Sequence, residues 1–544
     1  TLKASGTAKS SLSFVKGSPM ENPIDGARCA TSITVNGFNP HLHLQLSMEQ
    51  LKKEIIRFIL TDNLEQASNL FSQHNNPELK DLAKLLDKIP SQSLPLAEWK
   101  SPLPKFITTS VSYTCGIGCE MCNAGFADKT SLFEDYKYLS PDEFEALAPW
   151  IHNATHVALV GLGETLDSPH LEIFLEKLRD KITFISTSGV PLNKKTIEKL
   201  IRAQLHYLNL SFDGKTTAGH GGGRDSYINK FWEKVGLIQK TKQVLNVSHP
   251  ILHLTVAVDS ENINQLDEII KTAKSHDIPS VDLIYMVPHN HSLYQKSIFT
   301  DLKIYREKIN SVMAKWNALE MHVRFFEKAE VETSPETCYF VDKHLMFNLN
   351  RQKPDLCCGS LDIPLNIDEL LPEEYWNSFP LRYFRSLHFS GIQENLPEVC
   401  QTCWVLNPEQ LKDSFAGAKP NDEDCLPWYR EAGQYKSENK MDNAESLYLK
   451  ITQLSRDRQL IGKSWFHLGV MSLNKNRQKE ALQHMKNAVQ FCFDHTLAFA
   501  FLALLMRYPN SMKPSVSARK TNYEFIDFFK PAIFSKVEET TLSS

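Results

Sequence analysis

Cys115, Cys119 and Cys122 stand in the run YTCGIGCEMC, spaced C-x3-C-x2-C directly after an apolar, strand-like segment. Thiols at this spacing are metal ligands. A cubic four-iron cluster is ordinarily held by four cysteine thiolates, so three leave one iron open to a small chelating molecule. Zinc is the other reading, but it wants a fourth Cys or His at short spacing, and none follows before His152. A second set comes later: Cys338, Cys357, Cys358, Cys400 and Cys403. Taken with Cys357 it reads C-x18-C-x42-C-x2-C, four thiolates that can close a cluster completely. Cys358 can stand in for Cys357, and structural zinc is the alternative for the same side chains. A closed cluster cannot bind substrate through iron; it carries electrons, with a potential set by burial and hydrogen bonding.

Such ligands need a frame. From Phe106 to Pro288, apolar or β-branched runs alternate with helical patterns, which predicts a parallel α/β sheet. The strand runs are Phe106–Thr114, His156–Glu164, Ile182–Gly189, Tyr207–Gly214, Ile251–Asp259 and Val281–Pro288. Ser140, Pro141 and Glu143 announce the first helix as a capping box. Further helices are expected over His170–Arg179, Lys194–Ala203, Tyr227–Lys242 and Asn264–His276. Six strands predict an open partial barrel, since a full one closes with eight. In parallel α/β folds the loops leaving the C-terminal strand ends carry function. The first three cysteines lie just past the first such end.

Spacing and position together resemble the radical S-adenosylmethionine (SAM) superfamily, over the stretch Phe106 to Pro288. The resemblance implies a partial (β/α)6 barrel and a 4Fe-4S cluster on Cys115, Cys119 and Cys122. It further implies that the open iron takes the amino and carboxylate groups of SAM, and that an electron splits SAM into methionine and a 5′-deoxyadenosyl radical. Gly161, Gly163 and Glu164, in GLGE, resemble the family's Gly-Gly-Glu contact for the SAM amino group, with Leu162 as a departure. Ser186 and Thr187, and then Ser211 and Asp213, resemble segments that hold the SAM carboxylate and ribose. Arg224, after GHGGG, resembles an arginine that pairs with the SAM carboxylate. Met121 replaces the usual aromatic residue and can cover adenine or cluster. Ser and Gly also simply end strands, and Arg224 can equally be a solvated loop residue. The later cysteines resemble the auxiliary-cluster domain called twitch, especially that of an aminocyclitol dehydrogenase. The longer SPASM form needs further cysteines near the last pair, where only Cys425 and then Cys492 remain. An auxiliary 4Fe-4S cluster would accept an electron from a substrate radical, favouring net oxidation. Asp213, Asp259, Tyr285 and His289, at strand ends, are candidate bases.

The flanks read as helical. Ser47–Lys88 patterns as a hairpin, in which Phe58, Ala67 and Phe71 fall at tetratricopeptide (TPR) spacings. Trp428, Tyr435, Ala444 and Tyr448 recur as Trp465, Ser472, Ala481 and Met485, with Leu468, Gly469 and Ala488 on the pattern and a third partial copy near Phe499. This resembles a short TPR array that presents a groove to a peptide; packing against the barrel is the alternative. The expected domains are an extension (1–46, with an edge strand at His41–Leu46), a helical hairpin (47–98), the barrel (99–325), a small α+β auxiliary domain (326–418), TPR-like repeats (419–510) and a C-terminal helix and tail (511–544).

Composition sets limits. In 544 residues a net charge of −4 gives no field for a polyanion, so nucleic acid is not an expected partner. Eleven cysteines are too sparse for a disulfide scaffold, and their clustering points to a reducing compartment. The first thirty residues lack an apolar signal core, and the longest apolar run, Thr496–Met506, is short of the roughly 20 residues that span a bilayer. A cytoplasmic protein without membrane contact is expected. The resulting expectation is a radical SAM oxidoreductase or maturase, fed by a low-potential donor of flavodoxin or ferredoxin type, that oxidatively modifies a peptide or protein. Dehydrogenation of a small molecule such as an aminocyclitol or sugar is the first alternative, and a TPR scaffold with structural metal sites the second.

Overall fold

Short β-branched and aliphatic runs pair side by side to form one parallel sheet in the computed structural model. It describes residues 47–74, 79–89, 94–122, 137–161, 163–325, 338–347, 354–357, 363–403 and 425–508. The strands are β1 (Phe106–Thr109), β2 (His156–Leu159), β3 (Ile182–Thr187), β4 (Tyr207–Ser211), β5 (Ile251–Val258), β6 (Ser280–Tyr285), β7 (His322–Phe325) and β8 (His344–Phe347). Their order across the sheet is β7-β6-β5-β4-β3-β2-β1-β8, with every adjacent pair parallel. Consecutive order from β1 to β6 places all their C-terminal ends on one rim, the geometry that a partial barrel needs.

Two strands exceed the six expected. β7 extends the sheet beyond β6, and β8 adds to the free edge of β1, Phe106 opposite His344 and Thr109 opposite Phe347. Each has only four residues, HVRF and HLMF, too few for a period-2 pattern to stand out. β8 comes from the segment expected to form a separate auxiliary domain, so the chain returns to the sheet within it. Thr108 Oγ1 meets His344 Nε2 at 2.8 Å across this pair. Burial lowers His344 to about 3, so the ring is neutral there.

Charge holds the other edge. Arg324 on β7 donates from Nε and Nη2 to both oxygens of Asp282 on β6, each at 2.8 Å, and His253 Nε2 on β5 stands 2.9 Å from Asp282 Oδ2. Although burial works the other way, His253 and Arg324 hold the Asp282 carboxyl well below the usual carboxylate range.

Helices fill the crossovers. α4 (Pro141–Glu145) begins with the expected capping box, Ser140 N donating to Glu143 Oε2 at 2.8 Å and Glu143 N to Ser140 Oγ at 3.3 Å. α5 (Ala148–Asn153), α6 (Leu171–Lys177), α7 (Lys194–Arg202), α8 (Asp225–Leu245), α9 (Leu266–Ser275), α10 (His291–Lys296) and α11 (Leu302–Asn317) follow.

Before the sheet come α1 (Met48–Leu60), α2 (Leu64–Gln73) and α3 (Lys80–Leu86). After it come α12 (Pro372–Trp376), α13 (Phe379–Ser390), α14 (Glu398–Gln401), α15 (Leu426–Ser437), α16 (Met441–Leu454), α17 (Arg458–Asn474), α18 (Gln478–Phe491) and α19 (Thr496–Arg507). Of the repeating positions, Ala444, Tyr448, Ser472, Ala481 and Met485 are buried, while Trp428, Tyr435 and Trp465 are half-buried. The last helix does not end in an open groove: α19 packs on α1, α3 and α13. One core runs from Ile55 and Leu85 through Val157 and Leu208 to Phe384, Phe499 and Leu502. The extension, Leu162, Cys358 and the C-terminal helix and tail lie outside the described residues.

Asp62 closes this junction. At the α1–α2 turn, with φ of 65°, it receives Arg382 of α13 (Nη2 to Oδ1, 2.8 Å) and Arg507 of α19. Both guanidinium side chains are 0% exposed. Burial lowers Arg507 to about 10 against the pull of Asp62. Arg385, also buried, instead donates to three carbonyls, those of Trp376 (2.7 Å), Trp99 (3.2 Å) and Val341 (3.3 Å). Among the described residues no helix is long and apolar enough to cross a membrane.

Asp62→Asn keeps a residue tolerant of positive φ and leaves two buried cations without their counter-charge. A loss of about 3–5 kcal/mol is expected, read as a lower midpoint in guanidinium unfolding; an unchanged midpoint would remove the lock.

Candidate functional site

Beyond β1 the chain runs from Ser110 to Thr114 and turns into the cysteine loop, where Gly118 has φ of 67°. Cys122 N closes a turn on Cys119 O at 3.2 Å. Met121 N donates to Ala218 O at 3.0 Å, tying the loop to the chain after β4, and Lys296 at the end of α10 holds Glu120 at 2.7 Å. The loop is therefore anchored from two sides.

The segment after β2 packs against this run. Glu164 N donates to Thr114 O at 2.8 Å. A Cβ on Gly163 would sit 2.4 Å from the Ser112 carbonyl oxygen, and one on Gly161 would overlap Ser110. Gly163 is thus demanded by contact between backbones, and Gly161 by the Ser110 side chain packed against it. The Glu164 carboxylate turns toward β3, accepting from Ser188 Oγ (2.6 Å), Ser188 N (3.0 Å) and Leu166 N (3.2 Å). On the strand ends, Ser186 Oγ and Ser211 Oγ are 3.3 Å apart, and Asn209 Nδ2 donates to Ser186 at 2.9 Å.

These pieces enclose a cavity of about 430 Å³ at the C-terminal rim. Cys115, Cys119, Cys122, Met121, Gly161, Gly163, Glu164, Ser186, Thr187 and Ser211 all line it. Two other candidates do not. Asp213 is 2% exposed and stands behind His220, whose Nδ1 lies 2.6 Å from Asp213 Oδ2. Arg224 lines a neighbouring cavity of about 420 Å³ with Tyr227, Lys230 and Lys234, which shares only Ile117 and Ser188 with the first. Of the candidate bases, Tyr285 lines the first cavity. Asp259 is 0% exposed and occupied, accepting from Glu261 N and Asn262 N at 2.8 Å each, while His289 is absent from the lining.

His220 is the lining residue that sequence reasoning missed. Its signal is a histidine in the glycine run GHGGG after a strand end, just before Arg224.

Electrostatics suit a cluster. Burial, then Asp213 and the neighbouring thiols, push Cys119 up to about 12; burial likewise raises Cys115. Thiols in such surroundings ionise when a metal's positive charge compensates them. The donor set and the glycine-shaped cradle thus fit three-thiolate ligation. Cys400, on α14, is 7% exposed and raised by burial, then by Cys357, Cys338 and Cys403, so it lies within the field of the other three later thiols. Among the described residues, no three Cys, His, Asp or Glu side chains draw together tightly enough for a single metal ion. Cys425 and Cys492 are buried in the C-terminal helical region.

Residues 109–293 match the family model of the radical SAM superfamily, and this stretch of the chain is a radical SAM domain. No curated protein matches the chain. Among solved structures it is similar to Streptococcus suis SuiB, at 13% identity over 63% of this chain and 84% of that one, with a TM-score of 0.41. It is similar to anSMEcpe with bound AdoMet, at 17% identity over 56% and 88%, TM-score 0.42. BtrN in complex with AdoMet and 2-DOIA follows at 12% identity over 57% and 98%, TM-score 0.31.

Gly163→Ala must displace backbone, whereas a Cβ on Gly116, inside the cysteine loop, meets nothing within 4 Å. The first is expected to cost about 1–3 kcal/mol and to lower iron retention; the second should stay within about 0.5 kcal/mol. Parallel unfolding and iron assays on the two variants check this.

Proposed function

We propose that this chain is a radical SAM enzyme that oxidatively modifies a peptide or protein, with a second, auxiliary 4Fe-4S cluster as electron acceptor. The observation that carries the reading is the convergence of three thiols, two tightly packed glycines and the polar ends of β3 and β4 on one cavity at the C-terminal rim. A 4Fe-4S cluster with SAM on its open iron supplies a hydrogen-abstracting 5′-deoxyadenosyl radical.

The protein's part is placement. Cys115, Cys119 and Cys122 hold the cluster, and the chain at Gly161–Glu164 backs it. Met121 covers one side, while Ser186, Thr187 and Ser211 present hydroxyls to the polar parts of SAM. Tyr285 is the candidate base, because it lines the same cavity. The nearness of Cys338, Cys357 and Cys403 to Cys400 supports a second ligand set. The adjoining cavity, with Arg224, Lys230 and Lys234, supports a substrate larger than the cofactor chamber alone would admit. A flavodoxin or ferredoxin is the proposed electron donor.

Anaerobic reconstitution with iron counting, paired with a 5′-deoxyadenosine assay, tests both clusters. About eight irons are expected in the wild type and about four in Cys357→Ala/Cys403→Ala, with SAM cleavage retained by that variant and lost in Cys119→Ala. Four irons in the wild type would remove the auxiliary cluster; zinc without cleavage would remove the enzyme. Turnover of an aminocyclitol or sugar without any peptide product would move the substrate to a small molecule.

A further inference from the structure

The first cavity has an uneven charge. Among the described residues its lining contains no lysine or arginine, and it contains the carboxylate of Glu164. His220 is the one lining side chain among the described residues that can carry a positive charge. Its position is fixed from behind. Asp213 Oδ2 lies 2.6 Å from His220 Nδ1, while Asp213 Oδ1 accepts from Ala257 N at 3.0 Å and its carbonyl from Asn262 Nδ2 at 3.0 Å. The Tyr227 ring lies parallel to the imidazole, centroids 6.2 Å apart and planes 7° apart, and its hydroxyl donates to Ser188 O at 3.0 Å. With Nδ1 committed to a buried carboxylate, Nε2–H is the donor left to face a ligand. Burial opposes a charged ring here, yet the Asp213 carboxylate, its hydrogen bond and Glu164 together raise His220 above its ordinary value.

SAM brings a carboxylate of its own. Bound in this chamber, which already holds Glu164, that carboxylate would need a donor. Arg224, the residue expected from sequence, faces the neighbouring cavities instead.

We propose that His220, oriented by Asp213, supplies the cationic hydrogen bond to the carboxylate of SAM, in place of Arg224. This rests on the reading of the cavity as a SAM site. His220 touches the ligand; Asp213 is a positioning residue that sets the tautomer and charge of the ring. The arrangement leaves Arg224, Lys230 and Lys234 for whatever enters the second cavity.

Binding separates the possibilities without turnover. The full chain, reconstituted anaerobically and kept oxidised so that SAM is not cleaved, is titrated with SAM and with decarboxylated SAM. His220→Gln, Asp213→Asn and Arg224→Gln are titrated alongside the wild type. His220→Gln is expected to bind SAM about ten- to a hundredfold more weakly, the range of a lost charged hydrogen bond, and to bind decarboxylated SAM as the wild type does. Asp213→Asn should lose SAM selectively in the same direction. Arg224→Gln should stay within about twofold for both ligands. Iron content of each variant reports whether the cluster is loaded; if His220→Gln fails to load, the selectivity of Asp213→Asn decides. Equal losses for both ligands, wild-type binding by His220→Gln, or a carboxylate-specific loss in Arg224→Gln would each overturn the assignment. A wild type that loads its cluster and binds neither ligand would instead bring down the SAM reading itself.

Discussion

The contact between the chain at Gly161–Glu164 and the chain at Ser110–Thr114 sets the geometry of everything at the rim. Parallel pairing of β1 and β2 ends at Thr109 and Leu159, yet the two strands stay in register beyond it through Glu164 N on Thr114 O. No side chain fits between them at Gly163. The cysteine loop therefore starts from a fixed point, one backbone thickness from the wall it must face. Met121 and Glu120 fasten its far side to the regions after β4 and β6. A loop pinned at its origin and on both flanks keeps its three cysteines on the wall of one cavity.

Charge is layered around that volume. Asp213 and Glu164 both lie close to it, the first buried behind His220 and the second turned onto Ser188. Burial first, and then Glu164 for Cys115 and Asp213 for Cys119, oppose ionisation of these thiols. Cations sit one chamber further out, around Arg224, Lys230 and Lys234. Lys234 is partly spent on the Gly189 carbonyl at 3.1 Å, and burial lowers its affinity for a proton. The site thus grades from an acidic chamber to a basic one.

Much of this was legible before any coordinates. Six alternating strand and helix patterns carry enough residues for periodicity to speak, and the cysteine spacing has few competing explanations. β7 and β8 were not legible, because four residues such as HLMF match a strand no better than a loop. Nor was the direction of side chains. Asp213 and Arg224 were both read as reaching the cofactor from the loop after β4, but a glycine-rich turn rotates that loop so that His220 faces inward. Asp213 falls behind it and Arg224 beside it. A sequence places residues near a strand end; only the packing of the turn decides which of them looks into the cavity. The helical character of the C-terminal region was visible in spacing, while its docking on the N-terminal hairpin depends on contacts between residues hundreds of positions apart.

That docking has a consequence for how the molecule is made. Arg507 and Asp62 are 445 positions apart. A ribosome releases the α1–α2 turn long before it has translated the helix that completes it. Throughout that interval the faces of α1 and α3 that will meet α19 lack their last partner, and the Asp62 carboxylate waits in water. The junction at Asp62 is thus completed only once the helix that carries Arg507 has been made.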